Sequence, residues 1–194
     1  MRSAVITIEA AEKTVENIRS DFTALAIATC GGIGYIPIVP ASWGSLAACG
    51  IYFVVLMGNE NLTFWAQNQN FNAALLESLR ASFILVFLIG SFLIGMWSAT
   101  RTVKLTGIKD PRIVVIDEVV GQFITFLFVP ADIGWWIIPV GFFAFRLFDI
   151  WKLFPADKLE FLPDGLGVMA YDVMAGFYAA ALVSIICAGY FVIF

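Results

Sequence analysis

Apolar residues run along this chain in long stretches separated by short polar ones, and the lengths of those stretches predict membrane-crossing helices. Ala81 to Ala99 and Val173 to Phe194 contain no charged residue and are each long enough to span a bilayer. Three shorter runs, Ser45 to Met57, Val119 to Val129 and Ile133 to Phe145, reach that length only if polar residues at one end are counted in. The beginning of the chain reads differently. Ile8, Val15, Ile18, Phe22 and Leu25 are spaced among Glu9, Glu12, Lys13, Glu16, Arg19 and Asp21, the pattern of an amphipathic surface helix and not of a signal peptide. The expected fold is all-α: an amphipathic helix over residues 1–29, then a polytopic transmembrane helical bundle of about five spans over 30–194.

Composition agrees with that reading. The 194 residues are 61% hydrophobic, with a mean hydropathy of +0.91, and suit one membrane-embedded domain. A net charge of −4 without a basic stripe gives no footing for nucleic acid. Cys30, Cys49 and Cys187 show no paired spacing, so they read as small buried apolar residues and not as a disulfide framework or a zinc site. Loop charge then sets an orientation. The connection from Met57 to Arg80 holds one basic residue, whereas Arg101, Lys104, Lys109 and Arg112 share one connection and Arg146, Lys152 and Lys158 share another. With five spans, the basic connections fall on one side together with the N-terminus, and that side is expected to be cytoplasmic.

The few carboxylates change the picture. Asp117, Glu118, Asp149 and Asp172 each stand at the edge of an apolar run, where an acid in hydrocarbon costs about 2.5–3.5 kcal/mol on insertion scales and marks a functional site by default. On the predicted topology all four lie at the cytoplasmic helix ends, as does the Ser42–Ser45 segment. Asp117 and Glu118 point about 100° apart on a helix, so one can face a metal and the other a neighbouring helix or substrate; acids favouring a helix N-terminus are the plainer reading. Arg146, Asp149 and Lys152 follow at i, i+3 and i+6, either as an ion-pair ladder or as a metal ligand flanked by phosphate-binding cations. Asp117 with Gly121, and Asp172 with Gly176, repeat one spacing at the mouths of two spans, which predicts backbones packed closely around a shared site. Ser42 suits an N-cap for the helix after Pro40, and its hydroxyl with that of Ser45 and free N–H groups suits either an ordinary cap or a phosphate oxygen.

Taken together, Pro37-Ile-Val-Pro-Ala-Ser-Trp-Gly-Ser-Leu-Ala-Ala48, Ile113-Val-Val-Ile-Asp-Glu-Val-Val-Gly121, Phe145-Arg-Leu-Phe-Asp-Ile-Trp-Lys152 and Gly165-Leu-Gly-Val-Met-Ala-Tyr-Asp-Val-Met-Ala-Gly176 resemble the phosphatidylglycerophosphatase A family. The resemblance implies an all-helical enzyme of the bacterial inner membrane that needs Mg²⁺. It also implies phosphatidylglycerophosphate as the substrate, dephosphorylated to phosphatidylglycerol in phospholipid biosynthesis. Three departures stand out: Ala41-Ser42 where the family usually has Gly-Thr, Tyr171-Asp172 where it tends to pair two aspartates, and Asp164-Gly165 in place of Gly-Gly.

Mg²⁺ takes hard oxygen ligands, and this chain offers carboxylates without any histidine. Asp117, Glu118, Asp149 and Asp172 are the expected metal ligands, with Glu118 or Asp149 as general base, whichever does not ligate. Arg146, Lys152, Ser42 and Ser45 are the expected phosphate-binding residues. The absence of histidine removes histidine-nucleophile phosphatases, and no Cys-x5-Arg is present for a cysteine phosphatase. The signature Asp-x2-Asp-Gly-x2-Ala-Arg of the enzymes that attach alcohols to CDP-diacylglycerol is also missing. The competing reading is a small ion-coupled membrane transporter; acids gathered at one face and the lack of an internal repeat argue against it.

Overall fold

The computed structural model describes residues 19–69, 72–130 and 132–193, and every regular element among them is helical. Residues 19–28 form the described part of α1. A single 3₁₀ turn, Ile33–Tyr35, leads to α2 (Pro40–Asn68), α3 (Ala73–Thr106), α4 (Ile116–Thr125), α5 (Ile137–Trp151), the one-turn α6 (Ala156–Leu159) and α7 (Asp164–Ile193). The amphipathic helix expected over 1–29 lies outside the described residues up to position 18. Its described end buries Ala24 and Ala28 and leaves Phe22 exposed.

Among the described residues, three helices are long and apolar enough to cross a membrane, within Pro40–Gly58, Ala74–Thr106 and Asp164–Ile193. The figure of about five spans is not met by length. At 1.5 Å per residue, α4 rises about 15 Å and α5 about 22 Å, short of the roughly 30 Å hydrocarbon core. The reason lies in the turn between them, where Pro130 and the left-handed Gly134 (φ 85°) break the apolar run. The two short helices pair antiparallel: a Cβ on Gly141 would strike the Phe126 ring at one end, and one on Gly121 would come within 2.5 Å of the Phe145 ring further along. They form a hairpin that starts and finishes at the same end of the bundle.

α7 is the central post and packs against α3, α4, α5 and α6. Small side chains allow this. Ala175, Gly176, Ala179, Ala180 and Val183 are all buried. The predicted close approach at Gly121 and Gly176 is present: a Cβ on Gly121 would lie 2.6 Å from the Asp172 carbonyl oxygen, and one on Gly176 would lie 2.5 Å from that of Gly121. α3 is capped by the Asn72 side chain, which accepts from the Ala74 N–H at 2.9 Å, and closes at Gly107 in the left-handed conformation (φ 69°). It shows Phe83, Val86 and Leu93 to the outside, as a lipid-facing helix would.

Two local expectations need correction. Ser42 is not an N-cap, because α2 already begins at Pro40, whose fixed φ suits the first helical position after a left-handed Val39 (φ 48°). Asp172 does not open its helix, because α7 starts at Asp164 and places Asp172 two turns inside. Gly165 and Gly167 therefore belong to the helix and not to a loop. A Cβ on Gly165 would lie 2.5 Å from the Thr100 backbone nitrogen, and the Thr100 hydroxyl accepts the Gly165 N–H at 3.1 Å.

Candidate active site

The start of α4 is held in place by α1 and α2. The Val115 N–H donates to the Ala28 carbonyl at 2.8 Å, and a Cβ on Gly44 would lie 3.0 Å from Val115 and 3.7 Å from the Glu118 Cβ. Arg101 of α3 binds the Ser20 hydroxyl at 3.2 Å and pairs with Asp21 at 3.8 Å, fastening α1 to the same end. The starts of α2 and α4 and the end of α3 thus gather with α1 at one end of the bundle, and the α4–α5 hairpin returns to that end.

Within that end, Asp117 and Glu118 from the first turn of α4 meet Asp172 of α7. They are 2%, 6% and 0% exposed, and one carboxylate oxygen from each lies within 4.8 Å of the others. Asp117 Oδ1, Glu118 Oε2 and both Asp172 oxygens have no hydrogen-bond partner. Three buried carboxylates at that spacing repel one another, and the arrangement is favourable once a cation shares them. A donor set of carboxylate oxygens alone fits Mg²⁺.

Asp149 stands beside this group and not within it. It is bound by Arg146 on its own helix, and its carboxyl lies against that of Asp172. Lys152, the left-handed cap of α5 (φ 43°), donates to Glu160 at 2.8 Å and sits 4.6 Å from the centre of the Tyr171 ring. Burial works against its ammonium, but Glu160, Asp110 and Asp149 outweigh that, so its pKa stands above the ordinary lysine value. Burial likewise pushes the Asp110 carboxyl up, against the pull of Lys152. Ser45 is fully buried and donates to the Ala41 carbonyl at 3.2 Å, whereas Ser42 is half-buried at the α2 start.

Sequence reasoning passed over Gln122, which is fully buried one turn beyond Glu118 with neither amide atom partnered. A lone amide in the run Val119-Val-Gly-Gln-Phe-Ile was the available signal. It also passed over the ring of Tyr171 and the carboxylate of Glu160 as the seat of Lys152.

Apolar helices with a buried cluster of carboxylates at one end, cations beside it and close-packed glycines beneath define a polytopic helical membrane protein. Residues 26–187 match the family described as phosphatidylglycerophosphatase A, and the chain belongs to that family. Phosphatidylglycerophosphatase A of Haemophilus influenzae is 33% identical over 153 residues, 78% of this chain and 81% of its own length. That of Escherichia coli is 30% identical over 152 residues, 78% of this chain and 76% of its own length. A Bacteroides thetaiotaomicron protein provisionally named a phosphatidylinositol-3-phosphatase is 33% identical over 168 residues, 86% of this chain and 95% of its own length. No solved structure matches the chain. The protein is a phosphatase enzyme of the membrane.

Proposed function

We propose that this enzyme is a Mg²⁺-dependent phosphatase that removes the terminal phosphate of phosphatidylglycerophosphate at the cytoplasmic face of a bacterial inner membrane, yielding phosphatidylglycerol for phospholipid biosynthesis. The observation that carries the reading is the trio Asp117, Glu118 and Asp172, whose buried oxygens lie within 4.8 Å without partners. These residues hold the ion. Bound there, Mg²⁺ supplies charge neutralisation at the phosphate and acidifies a water.

Asp149, left outside the trio, is the general base that takes a proton from the attacking water, and Arg146 keeps its carboxylate oriented. Arg146 and Lys152 present positive charge to the phosphoryl oxygens as the P–O ester bond breaks, and the proton that Asp149 took passes to the departing glycerol oxygen. Ser45 already spends its hydroxyl proton on Ala41, so the α2 start contributes the Ser42 hydroxyl, and Gly44 lets α2 pack beside Glu118. An ion-coupled transporter is disfavoured because the buried acids meet at one end instead of stepping across the bundle.

The Bacteroides relative raises a second reading, an inositol lipid phosphorylated on its headgroup. Purified protein in detergent micelles, given each lipid with Mg²⁺, separates the two. Inorganic phosphate released at least about tenfold faster from phosphatidylglycerophosphate supports the first reading, by the 1.4 kcal/mol per tenfold scale of transition-state discrimination. The reverse preference supports the second, and EDTA should abolish either rate.

A further inference from the structure

Gln122 carries the full desolvation penalty of an amide on both its donor and its acceptor, and unlike a carboxylate it cannot shed that penalty by taking up a proton. Two contacts fix the face on which it lies. Glu118 is packed beside Gly44, and Phe126 stacks on Tyr52 with ring centroids 4.2 Å apart. Glu118 and Gln122 of α4 and its C-cap Phe126 recur every fourth residue, as Gly44, Ala48 and Tyr52 do on α2, so Gln122 lies in the α2–α4 seam at the level of Ala48. Gly121, about 100° round the helix from Gln122, faces Asp172 and Phe145 instead. Gln122 therefore sits on the α2 side of Glu118, away from Asp172. Glu118 Oε2 is also without a partner, and side chains four apart on a helix are within reach of each other.

We infer that Gln122 is the positioning residue for Glu118: its amide N–H groups, unpartnered in the metal-free protein, turn to one oxygen of the Glu118 carboxylate when an ion is held, so that the other oxygen faces Asp117 and Asp172. This rests on the metal centre proposed above. A hydrogen-bond partner behind a metal ligand fixes the ligand's direction, and removing it costs about 10–100-fold in metal affinity.

The test is a Mn²⁺ titration followed by electron paramagnetic resonance on the full chain, with the melting temperature of the metal-free protein measured alongside. Gln122→Met, similar in length and apolar, should weaken Mn²⁺ binding about 10–100-fold. Its metal-free melting temperature should be unchanged or higher, because an unpartnered amide has been removed. In a Glu118→Gln background the same change should have almost no further effect, since the two residues act as a unit. Unaltered Mn²⁺ affinity in Gln122→Met, full additivity with Glu118→Gln, or a fall in metal-free stability would each overturn the assignment. Wild-type protein that binds no Mn²⁺ would overturn the metal centre as well.

Discussion

Lys152 owes its position to two residues of different chemistry: Glu160 takes its proton-rich end at 2.8 Å, and the Tyr171 ring lies beneath it at 4.6 Å. A cation over an aromatic face contributes about 0.5–1 kcal/mol at a partly exposed site. Tyr171→Phe keeps the face and should leave the Michaelis constant for phosphorylated lipid unchanged, whereas Tyr171→Leu should raise it about two- to fivefold on the same scale. Equal effects in the two variants would mean that the hydroxyl, and not the ring, matters. In the sequence Tyr171 registered only as a departure from an expected acid; a cation–ring contact joins the α5 cap to α7, and no local pattern announces it. The trio of acids was legible because carboxylates beside apolar runs are rare and costly. Asp149 adjoins the trio through Asp172, against whose carboxyl its own lies, and is bound by Arg146 one turn back on its own helix.

At the scale of elements, glycines decide how closely α4 and α7 approach. Gly121→Ala would set a methyl 2.6 Å from the Asp172 carbonyl oxygen and 2.5 Å from the Phe145 ring, so it should destabilise the protein by about 1–3 kcal/mol or more and disturb Asp172. Gly90→Ala on α3 meets nothing within 4 Å and should instead stabilise by up to about 1 kcal/mol through helix propensity. Thermal unfolding of the two variants in detergent checks this, and a harmless Gly121→Ala would contradict the packing described. The repeated Asp-x3-Gly spacing makes this contact readable in the sequence. Element boundaries were less so. An apolar run such as Val119–Val129 looks the same whether its helix crosses or turns back, and Gly165 reads as a loop residue although close approach to Thr100 is what requires it.

For the whole molecule, Lys109 lies 4.8 Å from the centre of the Phe161 ring, close in the chain to Lys158, so the α4–α5 hairpin brings Lys158 back to the end that carries Lys109 and the acids, with α2 and α3 joined at the other. In protein lacking its three native cysteines, Lys109→Cys and Lys158→Cys should react with an impermeant thiol reagent from the cytoplasmic side and Gln69→Cys from the outer side. Labelling of positions 109 and 158 from opposite faces would break the hairpin topology. Parity makes the expected orientation independent of the span count: a pair of helices that crosses twice and a pair that turns back halfway leave the following loop on the same side.

The most direct measurement is phosphate release from phosphatidylglycerophosphate by metal-depleted protein as Mg²⁺ is restored, with wild type and Asp172→Asn side by side. Wild type should regain its rate along a saturating curve, and the variant, folded and inserted, should stay at least about 100-fold slower, the scale of losing a metal ligand or its support. A metal-depleted wild type that turns over at full rate, or an Asp172→Asn that matches it, would contradict the shared-cation centre.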